Sequence, residues 1–162
     1  MRFSLFPLLA LLTVFGLGTP GVVAAQDPLS CGPKDEKDEI IKHKGNHPVP
    51  APAAGKSMIV IAVGKAFGKS YQQKLAVNGQ WRAVLKESQY TCFEVDPGAV
   101  RMCWGGRVAR SDDNYLLITA RPGESYYVRG MLRGGISEVD PAEAQKLLRK
   151  MTYVTFEVRD GN

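Results

Sequence analysis

The two histidines of the chain, His43 and His47, are the first residues whose spacing suggests chemistry. Four positions apart on a helix, they would share one face, as the zinc ligands of many peptidases do. No glutamate stands beside the first histidine, however, and Pro48 ends any helix. Even with Cys31 as a third ligand the pattern is weak, and we predict no metal site.

Two further segments resemble binding loops without meeting their requirements. The segment 64–70 contains glycine, lysine and serine, but only three residues separate Gly64 from Gly68. A nucleotide-binding loop has four there, so that successive N–H groups surround the phosphates. Asp112 and Asp113 lack the alternating oxygen ligands of a calcium loop. We therefore predict neither catalytic residues nor a cofactor.

Aromatic side chains are more suggestive as ligand contacts. Trp81, Trp104, Tyr126 and Tyr127 fall on expected strands. Because neighbours on a strand point to opposite faces, either Tyr126 or Tyr127 must point outward. Exposed rings on a β-sandwich stack on sugars or anchor a protein partner, although packing in or around the core is the commoner fate. These four residues are the candidate ligand contacts.

Short segments separated by turns must position these rings. Strands are predicted at 57–63, 71–77, 80–85, 88–95, 100–108, 115–120, 125–132 and 153–158. Asn78-Gly79 favours a type I′ hairpin turn, and Asp96-Pro97-Gly98 favours a type II turn. The spacing predicts a mainly-β domain over residues 56–162, an antiparallel β-sandwich of about seven or eight strands.

One C-terminal α-helix is predicted before the last strand. Asp140 is a good N-cap, Pro141 suits the first helical position, and Glu143 lies three residues after the cap. The apolar residues that follow share one helix face: Ala144, Leu147, Leu148 and Met151. The helix is therefore expected to pack on the sandwich through that face.

Residues 26–55 have the composition of a polar, proline-rich tether. A charge cluster at 34–39 precedes a proline-rich run at 48–52, which favours extended backbone. A short helical turn at 34–44 is the only local structure expected in this segment.

The first 25 residues predict export. Arg2 supplies a positive charge, the run from Phe3 to Leu17 is almost entirely apolar, and 23–25 end in small residues. The run is shorter than the roughly 20 residues that span a bilayer. We predict a signal peptide (1–25) cleaved after Ala25, no transmembrane segment, and a periplasmic or secreted protein.

The charge of the chain is mildly basic. It has 21 Lys and Arg against 16 Asp and Glu, and loss of Arg2 with the signal peptide leaves 20 − 16 = +4. This charge suits anionic partners at the cell envelope. The basic residues are spread along the chain, so no nucleic-acid partner is predicted.

Three cysteines in an exported chain cannot all pair with one another. If a hairpin turned through 96–99, Cys92 would lie opposite Cys103. With a four-residue loop the two would form a non-hydrogen-bonded cross-strand pair, which is close enough for a disulfide to bridge. The alternative is Cys31–Cys103, which closes a loop of about 70 residues and restricts the unfolded chain by roughly 4 kcal/mol. The residues alone leave both pairings open.

A lipid anchor at Cys31 is the alternative to a free exported protein, since it would leave Cys92 and Cys103 to pair. Pro28-Leu29-Ser30 is a poor lipobox, and the apolar run ends too far upstream, at Leu17. We therefore favour the non-lipidated form over the lipoprotein.

Four runs of the chain resemble a known family. They are 55–63 (GKSMIVIAV), 77–79 (VNG), 92–98 (CFEVDPG) and 122–129 (PGESYYVR). Together they resemble the bacterial domain-of-unknown-function family 2846, with similarity over residues 45–160. Ser57 and Asn78 stand where alanine and aspartate are usual. The resemblance implies export, often with a lipid anchor, and it supplies no catalytic residue.

A subgroup of that family has a cysteine near the mature N-terminus and another on the strand after the Pro-Gly turn. Cys31-Gly32-Pro33-Lys34 resembles the first site, and Cys103 stands at the second. The resemblance thus implies a Cys31–Cys103 disulfide with Cys92 unpaired.

Export, an aromatic-bearing sheet and the lack of a catalytic constellation favour one function class. We expect a non-enzymatic accessory or binding module of the cell envelope, whose partner is an envelope protein or polysaccharide. The alternative is a carbohydrate-binding domain that uses exposed tryptophan and tyrosine rings, Trp81 or Trp104 above all.

Overall fold

The computed structural model describes residues 31–32, 37–65, 72–105, 114–131 and 135–159. The predicted signal peptide, residues 66–70 and the Asp112–Asp113 pair lie outside these ranges. The elements of the described part are β1 (Lys37–Lys42), β2 (Ser57–Val63), β3 (Gln73–Val77), β4 (Gln80–Leu85), β5 (Gln89–Val95), β6 (Gly98–Gly105), β7 (Tyr115–Ala120), β8 (Ser125–Gly130), β9 (Ile136–Glu138), α1 (Pro141–Leu148) and β10 (Thr152–Arg159). Within these residues no helix is long and apolar enough to cross a membrane.

The strands form two sheets. One has six strands in the order β1-β10-β5-β2-β8-β9, and the other has four in the order β4-β3-β6-β7. The mainly-β expectation is confirmed, but the described strands number ten rather than seven or eight. The two unpredicted strands are β1 and the three-residue β9.

The six-stranded sheet is mixed, so the expectation of a purely antiparallel fold was wrong. Strand β2 runs parallel to β8, and β10 runs parallel to β5. The chain leaves β5 for the other sheet and returns to β8, and such a long crossover can place a strand parallel to its neighbour. Turn residues between successive strands do not reveal a crossover of this kind.

The predicted Asn78-Gly79 turn and Asp140 cap are confirmed. Asn78 and Gly79 have φ angles of 50° and 83°, as the hairpin between β3 and β4 requires. The Asp140 side chain accepts hydrogen bonds from the N–H groups of Ala142 and Glu143 at the start of α1. All eight predicted strands are present over their described residues, while the predicted ends at 71, 106–108 and 132 lie outside the described ranges.

The segment through Asp96 and Pro97 is a corner between the sheets and does not close a hairpin. Strand β5 pairs with β2 over seven residues, whereas β6 pairs with β3 and β7. Gly98 takes a φ of 122° where the chain passes from one sheet to the other. Cys92 and Cys103 are therefore on different sheets, and the hairpin geometry that would have joined them does not occur.

Part of the predicted tether belongs to the sheet. Strand β1 pairs antiparallel with β10 from Lys37↔Arg159 to Lys42↔Val154. Ile40 packs against the core. The helical turn expected at 34–44 was therefore wrong for 37–42, because a neighbouring strand supplies hydrogen bonds and apolar contact that local sequence cannot supply.

The main core lies between the two sheets. Its largest members come from both sheets and are fully buried: Ile59, Ile61, Leu75, Leu85, Met102 and Trp104. A second cluster lies on the outer face of the six-stranded sheet: Met58, Val60, Ala62 and Tyr90, with Leu148 and Met151 from the helix region packed over it. The outer face of the six-stranded sheet is thus partly covered by apolar side chains.

Candidate functional site

The outer face of the six-stranded sheet carries a group that we call the tyrosine–cysteine cluster: His43, His47, Tyr90, Cys92 and Tyr153. Its position follows from strand register. Tyr153 on β10 lies beside Tyr90 on β5, and Cys92 lies beside Val60 on β2. Alternation along β5 puts Tyr90 and Cys92 on the same face, away from the main core. The cluster therefore borders the second apolar cluster.

The segment 43–50, which we call the strap, contacts this face. The His43 N–H donates to the Tyr153 carbonyl over 3.1 Å, and His43 Nε2 forms a hydrogen bond with Thr155 Oγ1 at 2.9 Å. The Tyr90 hydroxyl donates to the carbonyl of His47. Val49 packs on the second apolar cluster. The strap is thus held by specific bonds, which a solvated tether would lack.

Ring contacts join the strap to the sheet. His47 stacks on Tyr153 with ring centroids 5.1 Å apart, and His43 lies 5.2 Å from the same ring. The ring of Tyr90 also contacts Tyr153, with the centroids 5.3 Å apart. Tyr153 is therefore at the centre of the cluster.

Cys92 is a free, half-buried thiol. Burial raises its pKa, and a hydrogen bond from the Tyr153 hydroxyl only partly opposes that shift. Burial, followed by the proximity of Cys92, raises the pKa of Tyr153 to about 12. Both groups are protonated at neutral pH. A protonated thiol is a poor nucleophile, so the cluster lacks the thiolate that cysteine chemistry needs.

The cluster has no metal-ligand geometry either. His47 Nε2 donates to the Lys44 carbonyl at 3.0 Å, and His43 Nε2 is engaged with Thr155. Among the described residues, no three His, Cys, Asp or Glu side chains are placed to hold one ion. The histidines thus serve as packing and hydrogen-bonding groups of the strap.

The outer face of the four-stranded sheet is organised by a disulfide between Cys31 and Cys103. This is the pair that the family resemblance implied. The alternative Cys92–Cys103 pair does not form, because β5 and β6 belong to different sheets. The sulfur of Cys31 is used by the disulfide, so a lipid thioether on that atom and this disulfide exclude each other.

Trp81 lies beside this disulfide. A side chain added at Gly32 would place its Cβ 2.7 Å from the Trp81 ring, so the Gly32 backbone packs directly against the indole. The Lys74 ammonium lies 5.3 Å from the ring centroid. On the neighbouring strands the Arg101 guanidinium lies 4.4 Å from the Tyr115 ring. This face thus combines half-buried aromatic rings with cations.

The other predicted ligand contacts have different fates. Trp104 is 1% exposed, and its Nε1 donates to the Met131 carbonyl at 3.0 Å. Its indole also fills the space where Gly130 lacks a side chain. Trp104 is therefore a core residue, and the prediction that it contacts ligand is wrong.

Tyr126 and Tyr127 point to opposite faces and are both half-buried. Tyr126 packs at the rim of the main core, and Tyr127 packs on the second cluster. The Tyr126 hydroxyl donates to the Thr119 carbonyl at 3.0 Å and accepts from the Arg121 N–H at 2.9 Å. Of the four predicted contacts, Trp81 lies on the outer face of the four-stranded sheet, beside the disulfide. The Tyr126 hydroxyl instead bonds backbone groups at the end of β7.

Sequence reasoning missed the tyrosine–cysteine cluster. Alternation within β5 and β10 already placed Tyr90, Cys92 and Tyr153 on outward positions, and this was the available signal. What could not be seen is the parallel pairing of β5 with β10 and the return of the strap over them.

No protein-family model, curated protein or solved structure matches this chain.

Proposed function

We propose that the chain is an exported, non-enzymatic accessory or binding module of the cell envelope, and that it binds through the outer face of the four-stranded sheet. The observation that carries this proposal is the half-buried Trp81 ring with Lys74 beside it and the Cys31–Cys103 disulfide next to it. An aromatic ring on a rigid sheet offers contact area at low entropic cost.

Export is supported by the N-terminal sequence and by the disulfide, since disulfides persist in oxidising compartments. The resemblance to the exported family 2846 points the same way. Because the disulfide uses the sulfur of Cys31, we favour the free exported form over the lipoprotein. Mass mapping of the secreted protein without reduction should give Gln26 as the first residue and one peptide joining Cys31 to Cys103. A lipid mass on Cys31 would contradict this.

The absence of catalysis is proposed from the state of the tyrosine–cysteine cluster. It is the place in the described part where a thiol, hydroxyls and imidazoles meet, and the pKa values of Cys92 and Tyr153 are both raised by burial. We expect no turnover of ester or cell-wall substrates. If hydrolysis were measured and one polar substitution abolished it, the non-enzymatic proposal would be withdrawn.

The partner is proposed to be an envelope protein or polysaccharide. A polysaccharide is the more specific candidate, because Trp81 lies on a sheet face beside cations that suit acidic sugars. The chain has only two tryptophans, and the other, Trp104, is buried. Titration with envelope polysaccharides should therefore change Trp81 fluorescence while Trp104 contributes a constant signal.

Two matched variants test whether the fluorescence change and the binding depend on Trp81. Trp81→Phe should abolish both the fluorescence change and the binding, whereas Tyr127→Phe, on the opposite outer face, should retain both. Polysaccharide binding that is unchanged in Trp81→Phe would move the site elsewhere. No binding by the native protein would leave an envelope protein as partner.

A further inference from the structure

The edges of the two sheets differ in how they are protected against pairing with another chain. Natural edge strands are blunted by charge, by shortness, by irregularity or by cover from another element. Strand β1, with the sequence KDEIIK, has four charged residues of six. Strand β9 has only three residues. Strand β4 contacts β5 and β10, and a register irregularity interrupts its pairing with β3.

Strand β7, the remaining edge, is less protected within the described part: it contacts the short β9, and the Tyr126 hydroxyl bonds its C-terminal end. Its sequence, YLLITA, contains no charge, no proline and no glycine. Leu117 in its middle is 70% exposed, and Leu116 is half-buried although its side chain faces the core. An uncharged apolar edge of this kind is a template for strand pairing.

The direction of the β7 backbone groups follows from its neighbour. The Arg101 carbonyl on β6 accepts from the Asn78 N–H, so the backbone groups of Arg101 face β3. Val100 and Met102 must then face β7, where they lie beside Ile118 and Leu116. By alternation, Leu117 directs its N–H and carbonyl away from β6, to the open edge.

Tyr126 confirms this direction and limits the open stretch. Its hydroxyl bonds the Thr119 carbonyl and the Arg121 N–H, which lie on the same side of the strand as the backbone groups of Leu117. The C-terminal end of the edge is thus occupied, and pairing is open around Leu117.

We propose that β7 is a self-association surface, on which a second copy of this chain pairs its own β7 antiparallel around Leu117. A twofold axis across an edge strand gives the same contacts to both copies. The strand has no charge, so identical strands meet without the like-charge repulsion that destabilises opposed pairs. The exposed Leu117 side chains of the two copies would lie side by side.

A pairing of this length buries little surface. Interfaces below about 1,200 Å² belong to weak, reversible complexes. We therefore expect a monomer–dimer equilibrium, and the proposal does not depend on the ligand or partner proposed above.

The test is sedimentation equilibrium of the native, disulfide-bonded chain up to about 1 mM, the weak end of specific association. The native protein should show a reversible dimer. Leu117→Lys, which places like charges opposite each other, should weaken association at least tenfold. Leu117→Pro should do the same by removing the edge N–H, and it should still fold because that N–H does not pair with β6.

Ala99→Lys is the matched control. Ala99 is exposed on β6 and lies beside Thr119, so this variant adds the same charge to the same face one strand away from the edge. Its dimer dissociation constant should stay within about threefold of the native value. A native protein that stays monomeric throughout, or an equal loss in Ala99→Lys and Leu117→Lys, would overturn edge pairing. A circular dichroism spectrum like that of the native protein is required of each variant.

Discussion

The two outer faces of the molecule each have one cysteine, and the N-terminal segment contacts both. On the four-stranded sheet, Cys103 is bonded to Cys31, and Gly32 lies on Trp81. On the six-stranded sheet, Cys92 stays a free thiol beneath packed rings and apolar side chains. On one face the N-terminal segment is held by a covalent bond, and on the other by packing and hydrogen bonds.

The difference reflects what each covering element brings to its face. The strap, α1 and the residues just after it cover the six-stranded sheet with apolar side chains such as Val49, Leu148 and Met151, and burial of these groups is favourable by itself. On the four-stranded sheet, the disulfide fixes Cys31 to Cys103, and the neighbouring Gly32 packs on the Trp81 ring.

The largest change in the free energy of unfolding should come from removing the disulfide on the four-stranded sheet. The disulfide links residues 72 positions apart, and replacing both cysteines in Cys31→Ala/Cys103→Ala should lower the free energy of unfolding by about 4 kcal/mol. Urea denaturation without reductant measures this change. Cys92→Ala is the control and should cost about 1 kcal/mol, since it removes a half-buried sulfur and no covalent link. Equal losses would show that the two faces do not differ in this way.

A smaller loss of stability should follow from weakening the attachment of the strap. Tyr90→Phe removes the hydroxyl that donates to the His47 carbonyl and should cost about 1 kcal/mol of stability. It should also speed modification of Cys92 by a thiol reagent, because the strap covers that side of the sheet. Tyr127→Phe is the control, since its hydroxyl makes no hydrogen bond within the described residues. Unchanged Cys92 reactivity in Tyr90→Phe would mean that the strap does not protect the thiol.

The last effect should be an alkaline loss of stability to which Cys92 and Tyr153 of the packed face contribute. In the unfolded chain Cys92 and Tyr153 release protons at their ordinary pKa values, whereas in the fold both pKa values are raised, that of Tyr153 to about 12. The unfolded state therefore binds fewer protons as the pH rises above about 9, and stability should fall from there towards pH 12. Below pH 9 the contribution is fully present.

Denaturation at a series of pH values measures that slope. The double variant Cys92→Ala/Tyr153→Phe should have a shallower alkaline slope than the native protein. The bonded cysteines do not titrate, so the disulfide itself adds nothing to it. An identical slope in the double variant would assign the alkaline loss to other groups.

The sequence by itself determined most of the local structure. Strand periodicity, the Asn78-Gly79 turn and the Asp140 cap depend on nearest neighbours along the chain, and all three are present. The choice of Cys31 rather than Cys92 as the disulfide partner of Cys103 came from a family resemblance, because the residues alone left both pairings open. Interactions between residues a few positions apart can be predicted from the sequence, because both partners lie in the same short stretch of chain.

The tertiary structure alone decided which strands are neighbours. A corner at Gly98 puts β5 and β6 on different sheets, so Cys92 and Cys103 lie far from a shared hairpin, and Trp104 is buried instead of exposed. Strand β1 exists because β10 offers it an edge, and the tyrosine–cysteine cluster exists because β10 lies beside β5. Pairing between distant segments depends on which apolar faces meet across the whole domain. No local pattern of residues specifies that choice.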